Sequence, residues 1–75
     1  MLTVELKDGD NASNAEVAIC FDDAGLEFFI ERLSRLRGKI DHMHLMTPSW
    51  AGAELTEDKQ GGDEYSLVNH LRLVT

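Results

Sequence analysis

The chain has 75 residues, enough for one domain near the lower limit of what folds without disulfides or metal. Its hydrophobic share of 43% excludes a disordered chain, and no apolar run approaches the ~18 residues of a membrane span. The formal net charge of −7 disfavours nucleic acid and anionic membranes as direct partners.

Cysteine usage points to a reducing compartment. Cys20 is the only cysteine, so no internal disulfide can form, and no basic and apolar signal-peptide pattern is visible. We therefore expect a cytoplasmic protein. Nothing orients a base beside Cys20, so we expect it to behave as a small apolar residue.

Two strands joined by a polar turn open the chain. Leu2, Val4 and Leu6 alternate with polar residues, as in a half-buried strand. The turn-forming stretch 8–14 follows, and residues 15–21 alternate again. These features predict a β-hairpin.

A helix is the next predicted element. Asp22 is placed to accept hydrogen bonds from the first turn, and Gly38 supplies a left-handed stop. The expected buried stripe follows helical spacing: Leu26, Phe29, Ile30, Leu33 and Leu36. Phe28 lies about 200° from Leu26 around the helix, so we expect it to point away from this stripe.

A third strand over 39–47 and a fourth over 65–74 complete the prediction. The expected fold is α+β, a four-stranded antiparallel sheet of order 2-1-3-4 with one helix on one face. The loop between the last two strands, residues 48–64, is long for a small domain and therefore functional or mobile. The whole chain, 1–75, is expected to form one globular domain.

A single helix leaves the opposite sheet face open. The third strand offers either its even or its odd residues to the core. We expect Met43 and Leu45 to be buried, because burying the even set would place two imidazoles in the core without assured partners. The open face would then carry one extended set of side chains: Ala18, Cys20, Ile40, His42, His44, Met46, Val68 and His70.

The three histidines allow two interpretations. His42 and His44 leave the same face of a strand about 6.6 Å apart, and His70 could join them if it lies opposite His44. One alternative is a small metal-binding protein using His42, His44 and His70, since such a cluster could hold zinc. The other is a polar face with solvated histidines and no metal. No catalytic constellation is visible, so a non-enzymatic protein without a cofactor is expected.

Charge and aromatic residues favour a binding surface. Acidic residues crowd the long loop: Glu54, Glu57, Asp58, Asp63 and Glu64. Basic residues cluster at the end of the helix: Arg32, Arg35, Arg37 and Lys39. The acidic excess serves either solubility or steering toward a basic protein. Trp50 is either a lid on the sheet or an anchor for a partner.

The stretch "DHMHLMTPSWAGAELT", with the helix "GLEFFIERLSRLR" before it and "VNHLRLV" after it, resembles a known family. It is similar to small immunity proteins of bacterial polymorphic-toxin systems, the group numbered 32. The resemblance covers the chain from about Asp22 onward. It implies a protein that binds and silences a co-encoded toxin.

The sequence therefore predicts a partner-binding surface and two protein partners. The expected contact residues are Trp50, His42, His44, His70, Glu54, Glu57 and Asp58. The first partner is the cognate toxin, expected to be basic. The second is another copy of the chain, joined through the open sheet face, because small cores often need oligomerisation.

Overall fold

A computed structural model describes residues 1–75 and shows an α+β fold with one α-helix and antiparallel sheets. The strands are β1 (Leu2–Lys7), β2 (Glu16–Phe21), β3 (His42–Met46), β4 (Tyr65–Leu67) and β5 (His70–Val74). The helix α1 is Asp23–Ser34, and two short 3₁₀ turns cover Ala12–Asn14 and Pro48–Trp50. No helix has the length and apolar character needed to cross a membrane.

The strands form two small sheets, so the predicted four-stranded sheet of order 2-1-3-4 was wrong. One sheet has the order β2-β1-β4, and the other pairs β3 with β5. The predicted fourth strand is interrupted at Val68 and Asn69. Val68 N donates to Val4 O at 2.8 Å, whereas Asn69 O accepts from Thr47 N at 3.0 Å. The chain thus changes partner between these two residues, from the β1 side to the β3 side.

The predicted helix start is confirmed. The Asp22 side chain accepts from Gly25 N at 2.8 Å, which satisfies one of the free amides of the first turn. The α-helix ends at Ser34, a turn follows, and Gly38 has the expected left-handed backbone with φ of 73°.

The predicted buried stripe is confirmed in part, because Phe29 packs against the core and Leu36, in the turn after α1, is buried. Ile30 and Leu33 are 48% and 44% exposed, while Phe28 is half-buried and packs against the core. The prediction that Phe28 points away from the core was therefore wrong. Gly25 explains the rotation, because a Cβ there would lie 1.8 Å from Met1 O. The helix approaches β1 through this glycine, which turns the Phe28 side inward.

The core contains four buried residues: Leu2, Val4, Leu45 and Leu55. Met43 packs against it, which confirms that the odd residues of β3 face the core. Leu55 comes from the long loop. Two backbone hydrogen bonds fix this loop: Leu55 N donates to Met46 O at 3.1 Å, and Thr56 N donates to Leu2 O at 2.8 Å. The loop is thus part of the packed structure.

The predicted open face is not one surface. Val68 packs against the core, and Ile40 lies in a bend outside the strands with 99% of its surface exposed. Cys20 is half-buried and pairs with Thr3 across the hairpin. The long loop covers part of this side by bonding to Glu5, so only the β3–β5 pair keeps an uncovered face of histidines.

Glu5 is fully buried on the side of β1 that faces the long loop. Its carboxylate accepts from Thr3 Oγ1 at 2.6 Å, from Gln60 N at 2.8 Å and from Gly61 N at 2.6 Å. Burial by itself raises the pKa of this carboxyl, but the hydrogen bonds outweigh it and lower the pKa from 4.5 to about 2. Glu5 is therefore ionised at neutral pH and binds the loop to the sheet.

Candidate functional site

The outward face of the β3–β5 pair carries a row of exposed rings. We call it the histidine row: His42, His44, His70 and Trp50. His42 and His44 lie two residues apart on β3, so their rings leave the same face. Neighbouring ring centroids are separated by 5.1 Å, 4.8 Å and 6.1 Å along the row. The structure thus joins the three predicted histidines to the predicted tryptophan.

The register that builds the row differs slightly from the expected one. Met46 lies directly opposite His70, and Arg72 lies opposite His44. His44 and His70 are therefore diagonal neighbours, a separation that long and aromatic side chains can span. Met46 and Arg72 lie on the same face as the row, and the sequence reasoning did not include them in the site.

His44 and His70 make the closest contact of the row. His44 Nδ1 lies 2.6 Å from His70 Nε2, so one nitrogen donates and the other accepts. The pKa of His44 is lowered below its ordinary value, first by the loss of hydration beside the neighbouring rings and then by the charges of His70, His42 and Arg72. The neutral form of His44 is thereby favoured.

The geometry does not support the alternative of a metal site at His42, His44 and His70. No group of three or more His, Cys, Asp or Glu side chains is arranged to hold a metal ion. The reason is visible at His44 and His70, whose facing nitrogens are directed at each other. A zinc ion would need both nitrogens at about 2.0–2.1 Å and normally further ligands.

Trp50 ends the row in a short 3₁₀ turn. The turn begins at Pro48, which suits the first position of a helical turn, and Trp50 is 56% exposed. The Ala51 residue that follows has a left-handed backbone with φ of 61°. Trp50 leaves more than half of its surface exposed, so it does not serve as a fully closed lid over the sheet.

Of the three predicted acidic contacts, only Glu57 is placed next to the row. Its carboxylate accepts from Ser49 N at 2.8 Å, beside Trp50, and its pKa is lowered first by the Ser49 hydroxyl and then by this backbone bond. Glu54 bonds within its own loop to Ala53 N at 2.7 Å. Asp58 is exposed, and its carboxylate makes no hydrogen bond. The structure thus does not join Glu54 and Asp58 to the histidine row.

Comparison of the chain with protein-family models, with curated proteins and with solved structures gives no match. The description of the site therefore rests on the geometry of this chain alone.

Proposed function

We propose that the chain is a non-enzymatic binding protein that neutralises a co-encoded protein toxin in the cytoplasm by occluding it. The resemblance of the stretch 41–56 to small immunity proteins motivates the choice of partner. The observation that carries the proposal is the exposed Trp50 at the end of the histidine row.

The row has the physical properties of a binding hot spot. Tryptophan is enriched among residues that contribute most to interface energy, and aromatic rings lose little conformational entropy on binding. The imidazoles add donors and acceptors around the tryptophan, and Arg72 adds a cation on the same face. A partner that covers the row would gain apolar burial and directional hydrogen bonds together.

Charge supports a basic toxin. The net charge is −7, and Glu57 places a carboxylate next to Trp50 at the edge of the row. An acidic surface accelerates association with a basic protein and disfavours acidic ones. A basic catalytic surface, such as that of a nuclease, is the kind of target that this charge would attract.

The test is co-expression with the protein encoded by the neighbouring gene. We expect protection of the host cell and a stable complex of the two purified proteins. Trp50→Ala should raise the dissociation constant by at least about 30-fold, as expected for the loss of a hot-spot anchor worth ~2 kcal/mol. Calorimetry or surface plasmon resonance would measure this change.

Ile30→Ala provides the matched control. Ile30 is 48% exposed and lies on α1, whose main contacts are with β1 and β2 and not with the β3–β5 pair that carries the histidines. This variant should bind as the wild type does. The proposal would be refuted if the neighbour neither harms the cell nor binds, or if the tryptophan and isoleucine variants bind equally well.

A further inference from the structure

The free edge of β2 is the feature that the proposed function does not use. β2 is the end strand of its sheet, paired only with β1 along its whole length. Val17, Ile19 and Phe21 lie opposite Leu6, Val4 and Leu2 and so share the face of the sheet that carries the core, yet their side chains stay 62%, 37% and 46% exposed. Proteins normally protect such an edge with lysine, proline or a bulge, and β2 has none of these.

The same three residues also carry the unpaired backbone groups. In an antiparallel pair only alternate residues exchange hydrogen bonds with the partner strand. Asp22 N donates to Met1 O at 3.2 Å, so the register assigns the bonds toward β1 to the even residues of β2. The N–H and C=O groups of the odd residues therefore point to the free edge. These residues are Val17, Ile19 and Phe21.

We propose that β2 pairs with β2 of a second copy, forming a two-fold symmetric dimer with a continuous sheet. The two-fold axis would pass through Ile19. Ile19 would then lie opposite Ile19 of the second copy, and Val17 would lie opposite Phe21 of the second copy. All three are bonded positions, so each pair would exchange backbone hydrogen bonds. Ala18 lies opposite Cys20 of the second copy, and both side chains are small enough to pack between the larger pairs.

A cavity beside Val17 supports a second copy as the occupant. It has a volume of about 500 Å³ and is lined by residues of both strands and of the turn between them: Leu6, Asp8, Gly9, Asn11, Ala12, Ala15 and Val17. In the proposed register Phe21 of the second copy lies opposite Val17, next to this cavity. The two-fold symmetry repeats this contact, so each copy contributes one exposed Phe21 ring and one cavity.

Charge opposes this contact only at its two ends, where the proposed register places Glu16 opposite Asp22 of the second copy. Between Glu16 and Asp22 the strand carries no charged side chain. The Asp22 carboxylate already accepts from the Met1 amino group at 2.7 Å and from Gly25 N at 2.8 Å. The strand edge is thus an apolar stretch bounded by acidic residues, one of which is compensated within its own chain.

Sedimentation velocity on the isolated chain tests the dimer without any toxin. We expect a species of twice the 8.4 kDa chain mass that dissociates on dilution. Ile19→Lys should abolish it, because two ammonium groups would meet at the symmetry axis. Ile40→Lys is the control, since Ile40 is 99% exposed and lies in the bend before β3, a strand of the other sheet. Phe21→Ala should raise the dissociation constant about 100-fold, because two symmetric anchors are lost.

Amide hydrogen exchange gives a second measurement that does not depend on the folding of a variant. The amides of Val17, Ile19 and Phe21 should be protected in concentrated wild-type protein and should lose protection on dilution. The inference is overturned by a monomeric mass at millimolar concentration. It is equally overturned by a dimer that both lysine variants retain, or by exchange at these amides that is independent of concentration.

Discussion

Replacing Glu5 by glutamine should destabilise the protein strongly. The wild-type carboxylate accepts two backbone amides, from Gln60 and Gly61, and the Thr3 hydroxyl. An amide side chain has only one oxygen, so its NH₂ group would face a backbone N–H as donor against donor. The loop 57–62 would lose one or both of its bonds to β1.

The expected magnitude follows from the pKa of Glu5. A carboxyl whose pKa falls from 4.5 to about 2 on folding contributes about 3 kcal/mol at neutral pH. This agrees in size with one or two hydrogen bonds to a charged group at ~1.5–3 kcal/mol each. For a domain of this length, the melting temperature of Glu5→Gln should drop by roughly 10–20 °C.

The sign of the pH dependence is fixed by the lowered pKa. The contribution of Glu5 is fully present above its unfolded pKa of 4.5 and is lost as the pH falls toward about 2. Urea denaturation followed by circular dichroism, at several pH values, would measure it. The difference in unfolding free energy between wild type and Glu5→Gln should shrink over this range.

Glu27→Gln is the matched control. Glu27 is exposed on α1 and makes no hydrogen bond or ion pair, so its replacement should change stability by no more than ~0.5 kcal/mol. Similar stabilities for the two variants at neutral pH would refute the reasoning. A wild-type minus Glu5→Gln difference that stays constant from neutral to acid pH would also contradict it.

Three further predictions concern the loop, the core and the histidine row. Gly61→Ala should lower the unfolding free energy by ~1–3 kcal/mol in urea denaturation, because a Cβ there would lie 2.7 Å from the Tyr65 ring. Gly62→Ala is its control and should be nearly neutral, because a Cβ at Gly62 meets no atom within 4 Å. Leu45→Ala should cost ~2–5 kcal/mol by the same assay because Leu45 is completely buried, and a loss below ~1 kcal/mol would show that the core is wrongly placed. The lowered pKa of His44 means that the unfolded state binds more protons near pH 6.5, so stability should fall as the pH drops below this value. His44→Gln should flatten this dependence, and an unchanged slope would exclude His44 as its source.

Local patterns predicted the local structure well. The hairpin β1–β2 and the Asp22 cap follow from periodicity and capping within a few residues, and the burial of Leu45 follows from the cost of burying His42 and His44 instead. The histidine row was also accessible, because two histidines at spacing two must share a face of a strand. The exact register of the row could not be predicted, because it depends on which residues of β3 and β5 lie opposite each other.

Long-range contacts account for the errors. The predicted fourth strand looks continuous in sequence, and only the bonds of Val68 to Val4 and of Asn69 to Thr47 divide it between two sheets. The rotation of α1 depends on the approach of Gly25 to Met1 O, which no helical periodicity reveals. Glu5 alternates with apolar residues like any solvent-facing side chain, and it is buried by a loop about 55 residues later in the chain.

The long loop is bonded to both sheets, through Leu55 N to Met46 O and through Thr56 N to Leu2 O. β2 is an edge strand of one sheet, and β3 belongs to the other. A dimer joined at the free edge of β2 would therefore not involve the β3–β5 pair, which carries the three histidines of the row. Self-association and toxin binding would then not compete, and one dimer could hold two toxin molecules on separate surfaces.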